Sequence, residues 1–148
     1  MRIQIKFHHL LLIGVLLLGS CRKDYVLPIP TPPPPPPGSI KFSLDIYPVL
    51  ANSSNHCIDA GCHDSGSNAP DLSSLAIAYN SIKPGQMSSS STGSPAAYCD
   101  TIAPANSIFY IRIHSNSPDQ QMPVGGTPLS ADYQGKVLQW ITDGAKNN

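Results

Sequence analysis

Hydrophobic and polar residues recur with a helical period in four stretches of the chain, and the clearest is the last, residues 129–148. Its apolar side chains form a single stripe along one helix face: Tyr133, Val137, Trp140 and Ile141. Ser130 can cap the first turn, since a serine oxygen accepts an N–H that has no partner inside the helix. Gly144 suits the left-handed position just beyond the last turn. The pattern therefore predicts an amphipathic C-terminal helix.

Three further stretches complete the predicted secondary structure: residues 42–52, 71–82 and 107–114. In the first, Ser43 or Asp45 is the expected N-cap. Pro48 fits best if Asp45 is the cap, because proline then lies in the first turn. The third contains a branched and aromatic run that also fits a strand. Residues 83–100 are rich in Ser, Gly and Pro and predict a surface loop. The expected fold class is all-α, with N- and C-terminal helices bracketing a loop-rich middle.

The first twenty residues predict an export signal. Arg2 and Lys6 form a positive start, and Leu10 to Leu18 form an apolar stretch too short for a comfortable membrane span. The sequence LGSC, which ends at Cys21, resembles the lipobox of bacterial lipoproteins. That resemblance implies cleavage before Cys21, which becomes the lipid-modified N-terminal residue. The alternative is a plain secretory signal followed by an incidental cysteine.

Residues 21–39 predict a lipid-anchored linker, because proline occupies eight of the ten positions from 28 to 37. Such a run adopts extended polyproline II, and at about 3.1 Å per residue it holds the folded part about 30 Å from the lipid. Residues 40–148 are numerous enough for one compact domain. Cleavage after residue 20 leaves seven basic and nine acidic residues. This mild acidity, without any Lys/Arg run, argues against a nucleic-acid partner.

With Cys21 assigned to lipid, three cysteines remain: Cys57, Cys62 and Cys99. Two of them lie in the sequence NHCIDAGCHD, which also contains His56 and His63. Zinc is one interpretation, but adjacent side chains at 56/57 and 62/63 rarely converge on one tetrahedral ion. A disulfide from Cys57 or Cys62 to Cys99 is a second, since export permits it, although it leaves His63 unexplained.

Covalent haem is the third interpretation. The usual attachment motif is Cys-x-x-Cys-His, in which both thiols bond to haem vinyl groups and the histidine binds iron. Here four residues separate Cys57 from Cys62, two more than usual, and His63 follows directly.

The flanking sequence resembles small cytochrome c-like lipoprotein domains of Bacteroidetes and related bacteria, which carry an extended motif of this kind. The resemblance covers residues 42–148. It depends on four segments in the same order: FSLDIYPVLANSSNHCIDAGCHD, SSLAIAYNSI, IAPANSIFYIRI and QMPVGGTPLSADYQGKVLQWITDGAKNN. It implies a cytochrome c-like fold, with the first and last helices packed around one covalently bound haem c.

Carried over to this chain, the resemblance implies that Cys57 and Cys62 form the thioether attachments, that His63 is the proximal iron ligand, and that Met122 is the distal one. A thioether sulfur is a soft donor that favours ferrous iron, so a His/Met pair suits electron transfer. With both axial positions filled, no site remains for a substrate. The expected activity is therefore electron transfer to redox partner proteins, and not enzyme catalysis.

Other side chains compete with Met122 as distal ligand. Met87 lies in a serine-rich run, His114 lies near a helix end where it suits the dipole, and His56 is expected to face solvent. Met122 itself also fits a core methionine that fills a gap. Trp140 is expected first in the core, and near the porphyrin or a propionate if haem is present.

The sequence thus predicts an exported mono-haem c-type cytochrome, anchored by lipid on Cys21 to a bacterial membrane, at the periplasmic or surface face of the outer membrane. One alternative is a haem-free, cytochrome-like surface module with a binding or structural role, stapled by a disulfide to Cys99. Another has a labile distal ligand, so that open iron binds peroxide or a small gas. Association of two chains through Cys99 is a further expectation.

Overall fold

The computed structural model describes residues 33, 35–88, 96–117 and 120–148. The chain divides into two units at Pro33 and Pro34, and the description below concerns the second. The predicted signal, the lipid site at Cys21 and most of the predicted linker lie outside the described residues. Within the described ranges, no helix combines the length and the apolar composition needed to cross a membrane.

Among its described residues, the second unit contains four α-helices: α1 (Tyr47–Leu50), α2 (Leu75–Ile82), α3 (Ile108–His114) and α4 (Ala131–Thr142). A π-helical turn (Phe42–Ile46) runs directly into α1, and 3-10 turns occupy Ser53–Asn55 and Pro104–Asn106. The described residues contain no β-strand; Met87 and Ala97 form an isolated antiparallel bridge. The unit is mostly helical, in agreement with the predicted all-α class.

Helix α4 forms as its sequence pattern predicts. Ser130 is the N-cap, and its Oγ accepts the Tyr133 N–H at 3.2 Å. Gly144 follows the helix with a φ of +97°, a conformation that costs glycine little because it has no Cβ. All four residues of the predicted stripe are buried. The helix is therefore held in place by one apolar face.

The first helix begins at Phe42, as its sequence pattern predicts, but its N-cap differs from the prediction. The N-cap is Lys41, which makes no side-chain capping bond. Asp45, expected as the cap, instead lies inside the helical turn, where its Oδ2 accepts the Lys41 N–H at 2.8 Å. The π-helical turn ends just before Pro48, which has no N–H to continue a helical hydrogen-bond pattern. The capping prediction was wrong because Asp45 reaches backward along the chain.

The second and third predicted helices also form. Helix α2 begins at Leu75 and not at residue 71, because Asp71 accepts the Ser73 N–H at 2.9 Å and holds the preceding residues in a turn. Ser74 caps the helix by accepting the Ile77 N–H at 3.4 Å. Residues 108–114 are helical in α3, which decides between the helix and the strand that the sequence left open.

The core joins the two ends of the unit. The ring of Phe42 lies 5.2 Å from that of Trp140 and 5.4 Å from that of Tyr79, measured between centroids. Trp140 Nε1 donates to the Lys146 carbonyl at 2.9 Å, and the Phe42 N–H donates to Asn148 Oδ1 at 3.0 Å. These contacts fix the first helical turn against α4 and the residues that follow it.

Candidate functional site

The predicted attachment segment, residues 57–63, folds into a closed loop. A turn within this loop accommodates the two residues by which the Cys57–Cys62 spacing exceeds the usual motif. The Cys62 N–H donates to the Asp59 carbonyl at 2.9 Å, so residues 59–62 form a tight turn. Gly61 occupies this turn with a φ of +83°, which favours glycine. The His63 N–H donates to the Cys57 carbonyl at 3.1 Å. Cys57 and His63 are therefore joined directly by a backbone hydrogen bond despite the long spacing.

The residues after His63 close the loop from the other side. The Asn68 N–H donates to the Cys62 carbonyl at 3.0 Å, and Asn68 Nδ2 donates to the Gly61 carbonyl at 2.7 Å. The Leu72 N–H donates to the His63 carbonyl at 2.8 Å. Because Leu72 is buried in the core, these bonds connect the cysteine loop to the rest of the fold.

The imidazole of His63 is oriented by two backbone carbonyls. Its Nδ1 lies 3.0 Å from the carbonyl oxygen of Pro70 and 3.2 Å from that of Asn68. Carbonyl oxygens only accept hydrogen bonds, so Nδ1 carries the proton and donates it. In the neutral ring, Nε2 then keeps its lone pair, which is the state in which a histidine can bind a metal ion.

All four predicted haem-binding residues line one cavity of about 510 Å³: Cys57, Cys62, His63 and Met122. Its wall also includes apolar residues from α1, α3 and the segment before α4, among them Leu50, Phe109 and Leu129. The structure therefore brings together two thiols, one imidazole and one thioether from segments about sixty residues apart in the sequence.

Met122 is held at the cavity by its backbone. Its N–H donates to the carbonyl of Arg112 in α3 at 2.9 Å. The chain then turns sharply, because the Gly126 N–H donates to the Pro123 carbonyl at 3.2 Å. Gln121 Nε2 donates to the Gly126 carbonyl at 3.0 Å and closes the same turn. The methionine is thus placed on an ordered loop, as a rigid ligand requires.

The competing distal ligands lie in other surroundings. Met87 is 54 % exposed and does not line the cavity. His114 stacks on Tyr110 with 5.1 Å between ring centroids, and its Nδ1 lies 2.8 Å from Gln134 Oε1. His56 reaches the cavity wall, but its Nδ1 lies 2.6 Å from Asp59 Oδ2 at the surface. Among the candidates weighed from sequence, Met122 and His56 line the cavity, and His56 is paired with Asp59.

The three thiols in the described part of the chain are free and differ in environment. Burial, reinforced by the neighbouring Cys62 and Asp59, raises the pKa of Cys57 to about 11. Burial alone raises the pKa of Cys99 to about 12. Cys62 is exposed. The disulfide of the alternative interpretation, from Cys57 or Cys62 to Cys99, is thus not formed in this structure, where Cys99 is 2 % exposed and lies outside the cavity wall.

The zinc interpretation finds no geometric support, since no group of three or more His, Cys, Asp or Glu side chains within the described ranges is arranged to hold a metal ion. Association through Cys99 stays a prediction, and it requires a buried thiol to become exposed.

Sequence reasoning missed four polar residues of the cavity wall: Asn68, Ser88, Tyr98 and Arg112. Ser88 lies in a serine-rich run, and nothing in the sequence distinguishes it from its neighbours. Arg112 lies within the apolar pattern of α3, which does not indicate a binding role. Trp140, expected near the porphyrin if haem is present, lies in the core and does not line the cavity. Its indole packs against Phe42, which places it on the core side of α4.

No protein-family model matches the chain, no curated protein matches it, and no solved structure matches it.

Proposed function

We propose that the chain is a lipid-anchored, mono-haem c-type cytochrome of the cytochrome c-like fold, and that it transfers electrons between redox partner proteins. The observation that carries the proposal is the convergence of Cys57, Cys62, His63 and Met122 on one cavity. A lone cysteine–histidine motif is weak evidence, whereas a methionine about sixty residues away lining the same cavity is an independent observation.

The residues present fit a haem group. The cavity volume of about 510 Å³ falls within the range of about 300–1,000 Å³ typical of ligand and cofactor pockets. Its apolar walls suit a porphyrin ring, and the two thiols lie on one short loop. The donor set, one imidazole and one thioether, is the pair that c-type cytochromes use and that raises the reduction potential.

Each residue then has a defined task. Cys57 and Cys62 hold the group covalently through their sulfur atoms. The carbonyls of Pro70 and Asn68 hold the His63 ring so that Nε2 faces its ligand. Met122 supplies its sulfur from the loop that is bonded to α3. Haem supplies one-electron chemistry, and the protein contributes attachment, burial and axial ligation. With His63 and Met122 both bound to it, the iron would have no open position for a substrate, so the domain would carry electrons.

The anchor and the compartment belong to the same proposal. The LGSC sequence at Cys21 supports lipid attachment in an exported protein, and multiple acyl chains give durable membrane binding where a single chain is marginal. The proline-rich run then spaces the haem domain from the lipid. An exported location is also consistent with covalent attachment of haem to the two thiols.

Mass spectrometry of the denatured protein, produced with a haem-maturation system, tests the proposal. We expect the mature chain to carry the mass of one haem on the peptide that contains Cys57 and Cys62. The paired variant Cys57→Ala/Cys62→Ala should lose this mass, whereas Cys99→Ala, at a buried thiol outside the cavity, should keep it. A wild-type chain without covalently retained haem contradicts the proposal.

A further inference from the structure

Ser88, Tyr98 and Arg112 all line the cavity, and we call them the polar corner. Backbone hydrogen bonds connect the segments that carry them. The Ser88 N–H donates to the Ala96 carbonyl at 2.8 Å, and the Tyr98 N–H donates to the Gln86 carbonyl at 3.0 Å. These bonds pair the residues around 87 with those around 97 in antiparallel fashion. The Tyr98 carbonyl accepts the N–H of Phe109 at 3.1 Å, which attaches this pair to the start of α3.

The Ser88 hydroxyl has no hydrogen-bond partner although it is buried. The residue is 6 % exposed, and Oγ makes no hydrogen bond. A buried hydroxyl without a partner is unfavourable, and in native proteins such a group calls for an explanation, such as a bound water, ion or ligand. Ser88 lines the cavity, so the missing partner is expected inside it.

Tyr98 and Arg112 give the corner its charge and its further donors. Both line the cavity. Burial raises the pKa of Tyr98, and the nearby positive charge of Arg112 opposes that rise, so the phenol stays protonated at neutral pH and the two groups are neighbours. A guanidinium has five N–H donors, so Arg112 can bind a ligand while it keeps its other contacts. Two hydroxyl donors beside one guanidinium are complementary to a carboxylate.

We propose that Ser88, Tyr98 and Arg112 form the pocket that binds one propionate carboxylate of the haem group. This inference depends on the proposed function, since the carboxylate belongs to the haem held by the neighbouring cysteines. It assigns a ligand to the unpartnered Ser88 hydroxyl. It also gives Arg112 two tasks, because its backbone carbonyl positions Met122 while its side chain binds the propionate.

Unfolding of the haem-loaded protein by denaturant tests the contact at Ser88, because the two possible results have opposite signs. If the hydroxyl binds the propionate, Ser88→Ala removes a hydrogen bond to a charged group and the denaturation midpoint falls. If the hydroxyl stays unpartnered, the same substitution removes an unfavourable buried group and the midpoint is unchanged or rises. Ser65→Ala, at an exposed position, is the matched control and should leave the midpoint unchanged.

Carbodiimide coupling of an amine to the haem carboxylates, measured by mass on the haem peptide, tests the corner as a whole. We expect Ser88→Ala and Arg112→Gln to increase the coupling rate of one propionate several-fold, because it loses its paired and buried environment. Arg112→Lys should restore part of the protection, since it keeps the charge but not the fork of donors. Lys41→Gln, which removes a positive charge from an exposed residue that does not line the cavity, should match the wild type.

The outcomes separate this inference from the proposed function. A wild-type protein without covalent haem overturns both. A haem-loaded protein in which Ser88→Ala raises or does not change the midpoint, and in which Arg112→Gln leaves both coupling rates at the wild-type value, overturns the propionate pocket alone.

Discussion

The core around Trp140 and the wall of the cavity lie in the same folded unit, yet they differ in how their polar groups are satisfied. In the core, the Trp140 indole N–H has a carbonyl partner, and the buried Tyr133 hydroxyl donates to the Ile46 carbonyl at 3.1 Å. At the wall, the Ser88 hydroxyl has no partner. The thiols of Cys57 and Cys62 form no disulfide there, although Cys57 Sγ donates to the Asn55 carbonyl at 3.5 Å. The core is complete within the chain, whereas the wall presents groups that a bound molecule can use.

This difference has a physical origin. Core residues are selected for packing and for mutual hydrogen bonding, since an unsatisfied buried group destabilises the fold. A binding wall contains polar groups that have no partner in the ligand-free protein. These groups destabilise the ligand-free fold, and they form their bonds when the ligand binds. Core substitutions should therefore change stability with or without haem, whereas the effect of wall substitutions should depend on bound haem.

The largest expected effect is on the core. Trp140→Ala removes a nearly completely buried indole and its bond to Lys146, and we expect it to lower the free energy of unfolding by about 3–5 kcal/mol. Chemical denaturation measures this loss. Leu75→Ala, at a side chain that is 39 % exposed, is the control and should have a much smaller effect. Because Trp140 does not line the cavity, the haem spectrum of the folded variant should stay that of the wild type.

A second expected effect appears at alkaline pH. Burial raises the pKa of Cys99 from 9.0 to about 12, so the folded chain holds this proton more tightly than the unfolded chain. The stabilisation is fully present below a pH of about 9 and is lost as the pH rises toward 12, with a slope of up to about 1.4 kcal/mol per pH unit.

Cys99→Ala checks this dependence. Denaturation of haem-loaded protein between about pH 8 and 11 should show a shallower loss of stability in the variant than in the wild type. If the free energy of unfolding falls with pH equally in both proteins, Cys99 is exposed in solution. An exposed Cys99 could then link two chains.

A smaller effect is expected at the helix caps. Ser130→Ala removes the acceptor for the Tyr133 N–H and should destabilise the protein by about 1 kcal/mol, measured by thermal or chemical unfolding. Ser130→Asp keeps an acceptor at this position and should retain most of the stability. A loss equal to that of Ser130→Ala in the Asp variant contradicts the capping role.

Local patterns in the sequence predicted much of the core region. The stripe, the cap and the terminal glycine of α4 are interactions within a few residues, and each forms as expected. The predicted N-cap of the first helix was wrong because the carboxylate of Asp45 accepts the N–H of Lys41, four residues earlier, and this contact competes with capping. Similarly, an Asp71 turn shortens α2. Aspartate and serine side chains can bond the backbone in a turn or in a helix cap, so the sequence alone does not fix where a helix begins.

The cavity was predictable only in part. The cysteine–histidine motif and the Met-Pro pair are visible in the sequence, and the four residues named from them line one cavity. The place of three further residues in the cavity wall was not predictable: Ser88, Tyr98 and Arg112. It depends on the pairing of residues 86–88 with 96–98 and on the hydrogen bond from that pair to α3. Long-range contacts of this kind leave no periodic signal in the sequence.

The absorption spectrum of the purified mature protein, recorded in both oxidation states, tests the central claim most directly. We expect the spectrum of low-spin, six-coordinate c-type haem, and in the oxidised state the red charge-transfer band that a methionine ligand gives. Met122→Ala should abolish that band and lower the reduction potential, whereas Met87→Ala, at an exposed side chain outside the cavity, should change neither. A protein without haem absorbance, or a spectrum that Met122→Ala leaves unchanged, contradicts the account.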